Sequence, residues 1–232
     1  MLAIGLATVI NFSYQIYDKP AEILSIIKWS SPKSLYETWS VYKNEFTDYS
    51  TDLMTPGFLA ALAQVESGGD PLASPDWSLQ LNRSYKKWFS PLSSSIGLFQ
   101  FTESTFDRAK NFCIHKNRSV KKGKWYQLNR CAFNGFYLRV WPSHSIELTS
   151  SYLDHNVKEL TKDSNLSLSE KQKVAAIIHL CGKSKASEFI QNGLRVRHQD
   201  RCGSHSVGRY LSKLKKYQRQ IKTQMISYKT AL

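Results

Sequence analysis

Residues 55–69 read Thr55-Pro56-Gly57-Phe58-Leu59-Ala60-Ala61-Leu62-Ala63-Gln64-Val65-Glu66-Ser67-Gly68-Gly69, and this stretch decides the fold. A threonine followed by proline at the first helical position is a start signal, and a glycine pair is a stop signal. The apolar run between them predicts a helix that ends at Glu66. Leu59, Leu62 and Glu66 fall at i, i+3 and i+7, so the carboxylate shares a stripe with two leucines that face a core. Partial burial and the negative end of the helix dipole both disfavour the anion there, and the protonated carboxyl is the state from which a general acid starts. A glutamate in a last helical turn is ordinarily a solvated end residue. The downstream sequence changes that reading.

About thirty residues on, the chain runs Ser94-Ser95-Ile96-Gly97-Leu98-Phe99-Gln100-Phe101-Thr102, followed by a helix-like segment from Glu103 to Lys110. The Glu66-Ser67 pair at a helix end and the Gly97-Leu98-Phe99-Gln100 segment, in this order, resemble the lysozyme-like domain of soluble lytic transglycosylases and goose-type lysozymes. The resemblance implies a mainly α, lysozyme-like (α+β) domain with a small β-hairpin or extended loop beside an active-site cleft. It implies cleavage of the MurNAc–GlcNAc β-1,4 bond of peptidoglycan, with Glu66 as the catalytic residue and Ser67, Ser95, Phe99 and Gln100 lining or ordering the cleft. No metal or cofactor is expected.

The chain departs from that family at two places. Where relatives carry Ala-Tyr-Asn-Ala-Gly, with a tyrosine reaching the glutamate, this sequence has Ile178-His179-Leu180-Cys181-Gly182. His179 is therefore a candidate for orienting Glu66 or a substrate oxygen, beside the plainer reading of a satisfied core histidine. Where goose-type lysozymes carry an aspartate two residues after the segment's glutamine, this chain has Thr102. Asp70, Asp76 and Glu103 are the nearest other carboxylates in sequence. One acid without a partner favours a lytic transglycosylase, in which the substrate's acetamido group and 6-hydroxyl replace nucleophile and water; a lysozyme-type hydrolase and a noncatalytic peptidoglycan-binding module are the alternatives.

The 232 residues hold 32 Lys and Arg against 18 Asp and Glu, a formal net charge of +14. Such a balance attracts polyanions, whether nucleic acid, an anionic membrane or a wall polymer. Ten of the cations against the single Asp200 fall between Gly193 and Leu232. No nucleic-acid-binding signature accompanies them, so wall or membrane contact is the favoured use and the chain is expected to act as a monomer.

Four cysteines are spread from Cys113 to Cys202, none in a Cys-x-x-Cys pair and none with a histidine at metal spacing. Pairing Cys113 with Cys131 and Cys181 with Cys202 closes loops of roughly twenty residues, each contributing about 3 kcal/mol. Disulfides place the protein in the periplasm or outside the cell, whereas four reduced, buried thiols would suit the cytosol. Residues 1–10 are apolar but short, and read as the remnant of an export or anchor segment or as a packed first helix.

Residues 1–50 are assigned to that segment and a helical extension, residues 51–232 to the catalytic domain. Within the first, Leu35, Trp39, Tyr42 and Phe46 repeat at helical spacing. The segment from Asp70 to Ser95 has little helical period, and its Trp77 either stacks on a sugar face or anchors the loop. Residues 111–130 read as a basic exposed loop. His144 and Glu147, three apart on a helix restarted by Pro142, form a structural pair or a cleft element. The last helix, from Val207 to about Tyr228, carries an apolar stripe from Tyr210 and is otherwise basic; it docks on the domain or lies on a membrane surface.

Overall fold

The computed structural model describes residues 31–73, 95–124, 131 and 133–230. Within them the fold is mainly helical, with two short antiparallel hairpins. Trp77 and Asp76, and residues 1–30, lie outside the described residues.

Helix α1 (Leu35–Asp48) opens with a reciprocal cap, in which the Ser34 hydroxyl accepts from the Glu37 amide and the Glu37 carboxylate accepts from the Ser34 amide. Its Tyr42 and Phe46 are buried, with Leu35 and Trp39 packed against them, so the segment assigned to an extension contributes rings to the common core.

Helix α2 (Pro56–Ser67) has the expected ends. The Thr55 hydroxyl accepts from the Phe58 amide, and Gly68 takes the left-handed conformation that terminates it. Every side chain from Phe58 to Ala63 is fully buried, so this helix is apolar all round and has to be enclosed. Burying Phe58, Leu59 and Leu62 contributes about 1.5–3 kcal/mol apiece. The one polar intrusion, Gln64, is satisfied at both ends of its amide. It accepts from the Thr38 hydroxyl at 2.6 Å and donates to the Lys33 carbonyl at 2.9 Å, which locks the start of α1 to the end of α2.

Helix α3 (Glu103–Ala109), capped by Thr102, leads into strands β1 (Phe112–His115) and β2 (Arg118–Lys121). Phe112 pairs with Lys121 and His115 with Arg118, and the turn residues Lys116 and Asn117 both have positive φ, the mark of a two-residue hairpin turn. The expected exposed loop is thus in part a hairpin, laid against helix α4 (Pro142–Leu160). Ile146, Thr149, Leu153 and Val157 form the fully buried stripe of α4. A 3-10 turn, Asn134–Phe136, precedes it.

Helix α5 (Leu168–Cys181) opens with a second reciprocal cap, between Ser167 and Glu170, and buries Val174 to Ile178. Helix α6 (Lys183–Gln191) follows after Gly182. Strands β3 (Arg201–Cys202) and β4 (His205–Ser206) turn the chain into helix α7 (Val207–Thr230), which lies along α2. Tyr210, Leu214 and Ile221 point inward while Lys213, Lys215, Lys216 and Arg219 are exposed. The apolar stripe that a membrane surface would require is occupied by α2 over this part of the helix.

Both expected disulfides are present, Cys113–Cys131 and Cys181–Cys202. They fit an oxidising compartment. Among the described residues no helix is long and apolar enough to cross a membrane.

Candidate active site

Glu66 sits in the last turn of α2 with its side chain 14% exposed. The Tyr210 hydroxyl, from the first turns of α7, donates to Glu66 Oε1. His179 Nε2, from the last turn of α5, lies 3.4 Å from the same oxygen. Three helices therefore converge on one carboxylate. Both contacts fall on Oε1, and among the described residues Oε2 has no hydrogen-bond partner.

Local packing fixes both partners. The stripe that seals α7 onto α2 begins at Tyr210, so docking the helix delivers the hydroxyl to the end of α2. Burial, reinforced by the Glu66 charge and hydrogen bond, holds the Tyr210 phenol well above its ordinary range. It is thus a neutral donor at any physiological pH. The His179 ring is set edge to face against Phe99 and Phe101, with centroids 6.5 and 6.3 Å away.

The chain matches no family model, no curated protein and no solved structure.

The loop Gly97-Leu98-Phe99-Gln100 is closed by a bridge between Ile96 and Phe101. Gly97 has a φ of 90°, and a Cβ there would lie 2.4 Å from the Arg139 carbonyl oxygen, so only glycine fits. Gln100 also has positive φ, and its side-chain amide donates to the Ala73 and Gly97 carbonyls, both at 2.9 Å. The Ser67 hydroxyl lies 2.8 Å from the Leu98 carbonyl and 3.1 Å from that of Ala63. These bonds tie the loop to the end of α2.

Burial corrects one expected role, that of Phe99. Phe99 is fully buried and lines no cleft; it supports the His179 ring from inside. Ser67 and Gln100 direct their donors at backbone carbonyls and so shape the loop around Glu66. Ser95, half-buried, begins the loop.

Asp70 is buried and accepts from the Leu72 amide at 2.9 Å, holding its own turn, and Glu103 is exposed in the first turn of α3. Thr102, at the position of the missing aspartate, caps α3. Glu147 accepts from the Ile114 amide at 3.0 Å and the Tyr137 hydroxyl at 2.6 Å. His144 stacks on the same Tyr137 ring at 4.0 Å and accepts from the Leu138 amide, so this pair is structural.

Tyr210 was not anticipated as a site residue. The only sequence signal for it was a hydroxyl-bearing ring at the head of an otherwise apolar stripe. Beyond His179 opens a cleft of about 970 Å³, walled by α3, the first hairpin, α4 and the α5–α6 junction. A smaller cavity of about 390 Å³ between α5 and α7 has none of Glu66, His179 or Tyr210 in its lining. Among the described residues no cluster of His, Cys, Asp or Glu is placed to hold a metal.

Proposed function

We propose that this protein cuts the glycan strands of peptidoglycan as a lytic transglycosylase, with Glu66 as general acid and then general base. The observation that carries the reading is the two-sided environment of the carboxylate: Oε1 accepts from Tyr210 and lies 3.4 Å from His179 Nε2, while among the described residues Oε2 has no hydrogen-bond partner. A carboxyl fixed through one oxygen presents the other in a defined direction, which is what proton delivery to a glycosidic oxygen requires.

In the first step Oε2 protonates the leaving oxygen as the C1–O bond breaks, and the substrate's acetamido oxygen stabilises the cationic centre at C1. In the second, the carboxylate takes the proton from the sugar's own 6-hydroxyl as that oxygen bonds C1, giving an anhydro end and restoring the acid. Oε1 keeps the hydrogen bond from Tyr210 through both steps, and that bond strengthens when the carboxylate is charged. In the family that the sequence resembles a tyrosine also reaches the glutamate; here Tyr210 does so from α7. Asp70, held in its own turn, and Glu103, exposed on the first turn of α3, leave Glu66 as the acid of the site, which supports single-acid chemistry over hydrolysis. The net charge of +14 suits an acidic wall, and the two disulfides suit a compartment outside the cytosol.

The test is the clearing of purified sacculi by Glu66→Gln. The variant is expected to keep its fold and lose at least about a hundred-fold in rate. Wild-type clearing by the variant removes Glu66 from the mechanism. Mass spectrometry of the wild-type digest distinguishes anhydro ends, expected here, from the reducing ends of a hydrolase.

A further inference from the structure

The cleft beyond His179 has a chemistry of its own. Arg108 at the end of α3, Lys121 on β2 and Lys183 at the start of α6 all line it, whereas Glu159 is its one acidic residue. Lys183 lies 2.7 Å from the Glu159 carboxylate and neutralises it. Arg108 donates through Nε to the Ser104 carbonyl at 3.1 Å, which steadies the guanidinium, and its two terminal nitrogens have no partner among the described residues. Lys121 has no ion pair among them either. Three cations thus face the same space with one carboxylate, on which both Lys183 and Lys121 act, and the positive charge is in excess.

Its floor is aromatic. The Phe112 ring lies 4.4 Å from His155 and 6.2 Å from Tyr152. His155 is held below its ordinary range by burial first and then by Lys183 and Lys121, against the opposing pull of Glu159 and Asp154, so both lysines act on this floor. A neutral polysaccharide needs aromatic faces and amide or hydroxyl groups; it has no use for unpaired cations. Aromatic ground edged by unpaired cations suits short apolar side chains that carry carboxylates.

Building on the glycosidase reading, we infer that this cleft binds the carboxylate-bearing peptide substituents of the glycan, so that the preferred substrate is a strand that still carries its peptides. The position agrees, because His179 both borders the cleft and touches Glu66.

The experiment compares intact sacculi with sacculi stripped of peptide by an amidase, using wild type and the double variant Arg108→Ala, Lys121→Ala. Both positions are exposed, and thermal melts verify that the variant is folded. Wild type is expected to cut peptide-bearing strands about ten-fold faster than stripped ones, a difference of about 1.4 kcal/mol. The double variant is expected to lose most of that advantage and to match wild type on stripped strands. Equal wild-type rates on both substrates, or an equal loss by the variant on both, overturn the inference and leave the glycosidase reading standing. Absence of cleavage on either substrate by wild type removes both.

Discussion

The Tyr210 hydroxyl donates to Oε1 of Glu66 across 144 positions of sequence, making the basic final helix a part of the site as well as of the core. Tyr210→Phe keeps the ring and removes only the donor. It is expected to lower kcat by about ten- to hundred-fold and stability by about 1–2 kcal/mol. Sacculus clearing and urea unfolding measure the two; an unchanged kcat reduces Tyr210 to packing.

The same phenol governs behaviour in alkali. Tyr210 and Tyr137 both have their ionisation pushed upward, chiefly by burial and then by Glu66 and Glu147 respectively. In the unfolded chain each ionises near the ordinary value of 10. Above that pH the folded state holds protons that the unfolded state has released, so the contribution is complete below pH 10 and declines as pH rises further. Unfolding free energies from pH 8 to 11 should fall steeply at the alkaline end. Tyr137→Phe and Tyr210→Phe should each flatten that fall, and a slope identical to wild type in both would contradict the assignment.

His179 acts on the reaction through Glu66 and is a positioning residue. His179→Ala is expected to reduce kcat by about ten-fold or more and to leave KM within about two-fold, because it removes the imidazole 3.4 Å from the carboxylate that orients Oε2. A merely structural imidazole would change stability and leave kcat of the folded protein in place.

Gly97→Ala forces a Cβ to within 2.4 Å of the Arg139 carbonyl at a φ of 90°. A cost of at least about 2 kcal/mol is expected, with loss of activity as the loop pulls away from Ser67. Calorimetry that shows a melting temperature equal to wild type would refute the close approach.

The two disulfides should behave differently when replaced by serines. Each loss is expected to cost about 3 kcal/mol. Cys181 lies two residues after His179, and Cys202 on β3 leads directly into the helix of Tyr210, so Cys181–Cys202 joins the two elements that hold Glu66. Its removal should lower kcat at temperatures where the protein is still folded. Removal of Cys113–Cys131, which ties the first hairpin to residue 131, should cost stability and leave the cleavage of peptide-free strands unchanged while the protein is folded.

What was legible in the sequence was local in origin. Thr55, Pro56 and Gly68 announce α2 through interactions within one turn, and the cysteine pairs are near neighbours in the chain. The β1–β2 hairpin escaped because its turn, Lys116-Asn117, lacks glycine and its strands are only four residues long. Phe99 was misread because a motif gives a residue's place along the chain and not the side on which it emerges; the ring turned inward to meet His179. Tyr210 escaped for a different reason. Its role depends on which helix α7 covers, and no period within α7 encodes that.

The order in which these pieces leave the ribosome has a consequence. Glu66 is made 144 residues before Tyr210. A nascent polypeptide therefore carries the acid long before it carries the hydroxyl that grips it, and maturation of the fold and arming of the carboxylate become the same event.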